Sequence, residues 1–408
     1  MKQGKFGLPM VVILATALFL AGCAAPGAEL PAAPSAPPAG DNAPAGELKM
    51  LSLSPDDTGA QACTDQGMYW VEIEDGRSMI HYWDLATGQA TYLCASPNCQ
   101  HTDDSCTAFA TSTGFAPSIG VDEEHLYLFF IDYNDGQNEY PARIEVGNLD
   151  GGDRHTLYTF GSGQTMGAGV VSDGARLYLT RSTVSPEGAY SNELISLDVN
   201  TGELTTLYSA DEGYLFVLGT DGDELWIKEI TTDGIHKVST YAPATGAWTP
   251  RTEYEQEQMV GYASGPWWFQ LEPDGEQVTL TATDGTQEIH LPDCFPSVQG
   301  TAGIYVEGYY HDTLFVDSVT GVEEDSSLQV KMFAINCQTG QVVEFPFTDA
   351  VTGRPLQVVG AAGPEEDILI LENNAYNGTT QTSWERTFYQ AIPFDDCMAG
   401  TANFTNIN

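Results

Sequence analysis

The chain has 408 residues, with 57 Asp plus Glu against 14 Lys plus Arg, a formal net charge of −43. So few cations exclude nucleic acid as a partner, because phosphate binding needs clustered Lys and Arg. They also exclude docking on anionic lipid through a basic patch, and an acidic surface of this kind mainly confers solubility.

In chain order, Lys2 and Lys5 precede an apolar run, Leu8 to Leu20, that is short for a membrane span. Leu20-Ala21-Gly22-Cys23 follows. Residues 23–47 are rich in Ala and Pro and lack apolar periodicity, the composition of an extended, disordered tether. From residue 48 to 408 the chain reads as short runs of β-branched and aromatic residues broken by Gly and Asp turns. Met68 to Leu93 shows the pattern, with turns at Asp75-Gly76 and at Asp84 to Gly88.

Units of this kind recur seven times. Two landmarks repeat. One is a Gly-bearing turn between the third and fourth strands, as in Ala86-Thr87-Gly88, Asn200-Thr201-Gly202, Ala244-Thr245-Gly246, Gln338-Thr339-Gly340 and Met398-Ala399-Gly400. The other is an aromatic-bearing second strand, as in Met68-Tyr69-Trp70, Leu126-Tyr127-Leu128 and Leu225-Trp226-Ile227. Blades of this size cannot bury their faces alone but can stack around an axis. The predicted fold is therefore all-β, a seven-bladed β-propeller of four-stranded antiparallel blades. Leu48–Ser54 alternates weakly and is expected to supply the outer strand of the last blade, or else to be linker.

Leu20-Ala21-Gly22-Cys23 resembles the lipobox of bacterial lipoproteins. That resemblance implies a signal peptide over residues 1–22 and lipid on the Cys23 sulfur. It also implies an extracytoplasmic protein held on the bacterial cell membrane through that lipid. With its tether and repeats, the chain resembles the secreted propeller lipoproteins of gut-type Gram-positive bacteria, and more widely the TolB-like and WD40-like propellers. The resemblance implies fold and address and no reaction.

Alternating strand direction places the long insertions on one face of the propeller. These are the loops Asp132–Pro141, Thr183–Asn192, Asp317–Leu328 and Asn374–Glu385, and the connection between blades Cys94–Gly114. They carry Tyr133, Tyr140, Tyr190, Tyr376 and Trp384, aromatics suited to a glycan, a peptide or a surface-protein ligand. The alternative is locally packed loop aromatics.

The sharpest local signal is Cys94, Cys99, His101 and Cys106. Three thiolates and an imidazole can close a tetrahedral structural zinc site with no open position. The competing reading is a local disulfide with a spare thiol, since exported proteins oxidise their cysteines. Cys337 and Cys397 occupy matching places in neighbouring blades and are candidates for a bridge. No H-E-x-x-H, G-x-S-x-G or P-loop is present, and no catalytic residue stands out. Two functions follow: a non-enzymatic binding or protein-interaction module, or an extracellular propeller hydrolase or lyase acting on polysaccharide or peptide through acidic residues near the axis.

Overall fold

The computed structural model describes residues 46–52, 61–111, 116–134, 138–185, 188, 190–210, 213–255, 260–274, 277–296, 303–320, 329–350, 352–376 and 384–408. The expected signal peptide, Cys23 and nearly all of the tether lie outside the described residues. Seven antiparallel sheets follow one another along the chain as the blades of a β-propeller ring. Within each blade the strands hydrogen-bond in chain order, from the innermost to the outermost.

Blade three shows why the pattern folds this way. It consists of Gln164–Ser172, Arg176–Val184, Tyr190–Asp198 and Leu204–Ala210. Successive side chains point to opposite faces of a strand, so Leu177 and Leu179 face blade two while Tyr178 faces blade four. Both faces are covered, so the second strands are apolar throughout rather than alternating. The aromatic landmarks are core residues: Trp70, Tyr127, Tyr178, Trp226 and Trp268 are all buried.

The third-to-fourth turns are built alike. Asp84, Asp198 and Asn336 each accept the backbone N–H of a Thr three residues on, at 2.7, 2.8 and 2.8 Å. The following Gly88, Gly202 and Gly340 have φ of 66, 68 and 72°, a region that favours glycine. Blade seven departs from the pattern. A short helix, Phe394–Met398, fills the place expected for its turn and leads to the outermost strand Thr405–Asn406.

Blades are also latched to one another. Asp122, in the first turn of blade two, accepts the Glu124 and His125 N–H groups at 3.0 and 2.8 Å and the Tyr127 hydroxyl at 2.8 Å. Its remaining acceptor position takes the Ser172 hydroxyl of blade three at 2.7 Å. Asp173 holds Tyr178 the same way, at 2.8 Å. Trp226 of blade four donates its indole N–H to the Gly265 carbonyl of blade five at 2.9 Å.

The N-terminal strand corrects one expectation. Lys49–Ser52 does not join the last blade, whose outermost strand comes from the C-terminus. It pairs antiparallel with the innermost strand of blade three, Lys49 opposite Ser172 and Ser52 opposite Val170. Leu48 and Leu51 are buried there, and Leu51 Cβ lies close enough to Gly120 of blade two that a Cβ at that glycine would sit 2.9 Å away. Apolar Leu48 and Leu51 find cover beside the inner strands that they would lack on the outer rim.

Candidate functional site

The fourth strand of blade one is interrupted. Gln89–Tyr92 pairs with the lower part of Arg77–Asp84, and Phe109–Thr111 completes the same edge against Ser78 and Met79. Leu93 N–H donates to the Ile80 carbonyl and Ile80 N–H to the Ala108 carbonyl, at 2.9 and 2.7 Å. Residues 94–107 therefore leave and rejoin the blade at one point on its outer edge. This places the Cys-rich segment within the fourth strand, not in a connection between blades as expected.

The loop brings its four chemistry-bearing residues together. One ligand atom from each of Cys94, Cys99, His101 and Cys106 lies within 4.8 Å of all the others. A tetrahedral ion with about 2.3 Å bonds to sulfur and about 2.0 Å to nitrogen needs its donors about 3.5–3.8 Å apart, which this grouping accommodates. His101 Nδ1 faces Cys106 Sγ at 3.2 Å, and its backbone N–H points to Cys99 Sγ at 3.5 Å. Asn98 and His101 hold φ of 61 and 53°. These are left-handed conformations that Asn and His adopt more readily than most residues, and they wrap the chain tightly around the thiols. Burial opposes ionisation of Cys94, but hydrogen bonds from the Ser96 backbone and the Cys106, Cys99 and Thr107 side chains outweigh it and lower the thiol to about 7. Burial, with Cys99 and Cys94 as neighbours, pushes the Cys106 thiol up instead. The cluster thus gathers soft donors, with one thiol lowered toward neutrality, a donor set that could hold a metal ion.

The surroundings fix the loop. Arg154 of blade two is within 3.3 Å of Glu145 and donates to the Thr107 carbonyl at 3.2 Å and to the Phe109 carbonyl. Tyr92 stacks on the His101 ring with centroids 4.4 Å apart. The Tyr92 hydroxyl donates to Glu74 at 2.6 Å, and His81 Nε2 lies 3.0 Å from the other oxygen of Glu74. Glu72, Glu74 and His81 also bring three ligand atoms within 4.8 Å. Glu74 and His81 both engage Tyr92, the ring that stacks on His101, so these two support the Cys–His cluster from outside.

All seven described cysteines are free thiols. The expected Cys337–Cys397 bridge is absent, and the two side chains are buried in different core clusters.

The expected ligand-binding aromatics fall into separate sets. Tyr133 and Tyr140 stack across a two-stranded ribbon at 6.0 Å, Tyr133–Asn134 against Glu139–Tyr140. Tyr190 is 40% exposed and packs at 5.1 Å on Tyr214, which is 50% exposed and was not anticipated. Tyr376 and Trp384 pair at the end of a blade-seven hairpin, and their side chains lie outside the described residues. Two further carboxyls escaped the sequence reading, Glu307 and Asp317 in blade six. Their signal is a charged residue within an apolar strand, as in Leu314-Phe315-Val316-Asp317.

No family model and no curated protein matches the chain. Among solved structures it is similar to a puromycin-hydrolyzing peptidase of Mycobacterium tuberculosis, with 11% identity and a TM-score of 0.52 over 90% of this chain and 54% of that one. It is also similar to the acylaminoacyl peptidase of Pyrococcus horikoshii, with 9% identity and a TM-score of 0.51 over 84% of this chain and 51% of that one. The β-propeller domain of the Trilobed protease from Pyrococcus furiosus matches at 9% identity and a TM-score of 0.46, over 86% of this chain and 99% of that one. The chain spans about half the length of the two peptidases. The seven blades are read from the sheets of this chain, and likeness to the two peptidases at such identity shows the fold alone. Among the described residues no helix is long and apolar enough to cross a membrane.

Proposed function

We propose that this is a cell-surface propeller, anchored to the bacterial membrane outside the cytoplasm by lipid on Cys23. In this reading it acts as a non-enzymatic binding or protein-interaction module for a glycan, a peptide or a neighbouring surface protein. The observation that carries the reading is the pair of exposed, mutually packed tyrosines, Tyr190 and Tyr214, where a loop and a blade-to-blade connection meet on a rigid scaffold. Rigid aromatic anchors at loop ends suit recognition more than turnover. Incubating the purified protein with a polysaccharide and peptide panel tests it: binding without product is expected, and product formation would overturn it in favour of a hydrolase or lyase.

In the same reading the Cys3His loop holds a structural zinc through Cys94, Cys99, His101 and Cys106. All four tetrahedral positions would be filled by protein, leaving none for a substrate water. Elemental analysis should find about one zinc per chain, lost on Cys99→Ser or His101→Ala. No metal, with fewer free thiols than the seven cysteines that follow Cys23, would make the segment a disulfide loop instead.

A further inference from the structure

Blade six places two carboxyls where its apolar strands lead one to expect hydrocarbon. Asp317 lies on the second strand, directly opposite Tyr305 of the innermost strand. Glu307 is the extra residue of a bulge between Val306 and Gly308 on that innermost strand. Phe315 and Met332 cluster with Leu369 and Leu371 of blade seven, so alternation turns Asp317 toward blade seven as well. By the same alternation Asn373, two residues beyond Leu371, faces back toward blade six.

These groups lack what buried acceptors need. Asp317 is only 7% exposed, and no described group donates to its Oδ1. The Oδ1 of Asn373 is in the same condition. Among the described residues no Lys, Arg or His forms an ion pair with Asp317 or Glu307. Burial pushes the Asp317 carboxyl up to about 6. Burial, then the charges of Asp317 and Glu372, pushes Glu307 up to about 8. Buried acceptors without donors are costly, and two neighbouring carboxyls at low dielectric add repulsion.

The missing complement is a cation carrying hydrogen-bond donors. A bare metal ion fits poorly, because these carboxyls are not among the groups that bring three ligand atoms within 4.8 Å of one another. An ammonium group offers three donors to these acceptors. Tyr305, 57% exposed and beside Asp317, supplies an aromatic wall of the kind that attracts cations. The net charge of −43 raises the local concentration of such ligands. Tyr305 is the second residue of its strand, at the end that starts from the long-loop face.

We propose that the unpartnered acceptors between blades six and seven, beside exposed Tyr305, bind a primary ammonium group, the end of a polyamine or a lysine side chain of an extended peptide. Asp317 and Glu307 act as counter-charges, Asn373 as a neutral acceptor and Tyr305 as the aromatic wall. The site goes beyond the binding-module reading and does not depend on whether any substrate is turned over, since binding is read at equilibrium.

Calorimetric titration of the purified protein at pH 8 and low salt tests it, using spermidine, N-acetyl-lysine methylamide, tetramethylammonium and calcium chloride. Both primary amines should bind, with the tighter one identifying the source. Tetramethylammonium, which has no N–H donors, should bind at least about tenfold more weakly. The Asp317→Asn, Glu307→Gln double variant should weaken spermidine by about tenfold or more, and Tyr305→Ala by about threefold or more. The double variant removes buried charge without changing shape, so it should stay folded. Should it not, the surface variant Tyr305→Ala decides alone. Absence of amine binding, equal binding of tetramethylammonium, unchanged affinity in the variants, or calcium binding lost in the double variant would each overturn the proposal.

Discussion

At the scale of residues, Tyr92 links the blade to the Cys–His cluster. Trp70, His81 and Tyr92 sit opposite one another on adjacent strands, and their rings stack in sequence up to His101, at 5.0, 4.6 and 4.4 Å. A ring held on one face and tethered by its hydroxyl to Glu74 can fix the direction of the His101 imidazole. On the proposed zinc reading, Tyr92→Leu should therefore weaken zinc affinity by about tenfold while leaving the stoichiometry intact, as read by competition with a chelating dye. The four donor residues are legible in the sequence because three Cys and a His fall so close together. Their support is not, because Glu74, His81 and Tyr92 are scattered and converge only through cross-strand register. Glu307 and Asp317 could have been noticed as charges in apolar runs, but their placement on adjacent strands of one blade, beside blade seven, required the fold.

At the scale of elements, the blades were legible because Gly-bearing turns and aromatic second strands repeat with the strand period. The partner of the N-terminal strand was not: alternation in Lys49-Met50-Leu51-Ser52 says which side chains share a face and nothing about which strand they meet. The split fourth strand of blade one was hidden for a related reason, since Phe109–Thr111 is too short to show alternation. The latch at Asp122 yields a pH dependence. Burial works against its ionised form, but the hydrogen bonds from Ser172, Glu124, Tyr127 and His125 prevail and hold the carboxyl below its ordinary value of 3.8. A depressed folded-state pKa stabilises the fold above the unfolded-state value, and that stabilisation disappears as pH falls through the folded-state value. Asp122→Asn should thus cost about 1–3 kcal/mol at neutral pH and progressively less below about pH 4, measured by urea unfolding across pH.

At the scale of the whole molecule, the ring closes without help from the N-terminus, because blade seven is made entirely from the last part of the chain. The N-terminal strand is free to do something else. Gly46 lies against the Asp173 carbonyl, in the first turn of blade three, so the chain enters the ring from the face that carries the tight turns. From Lys49 to Ser52 it then runs alongside blade three toward the opposite face. In a protein held through Cys23, any drag on the domain would reach the fold through this strand first. Pulling from the tight-turn face draws the strand along its own length, which strains its hydrogen bonds together instead of opening them one by one. Extension by optical tweezers from the N-terminus should show a small first rupture, before any blade unfolds, as Leu48 and Leu51 leave their cover. Leu51→Ala, costing about 2–3 kcal/mol of packing, should lower that first force and leave the later ones unchanged. The strand would then act as a mechanical fuse, yielding slack between membrane and domain while the ring and its long-loop face stay whole.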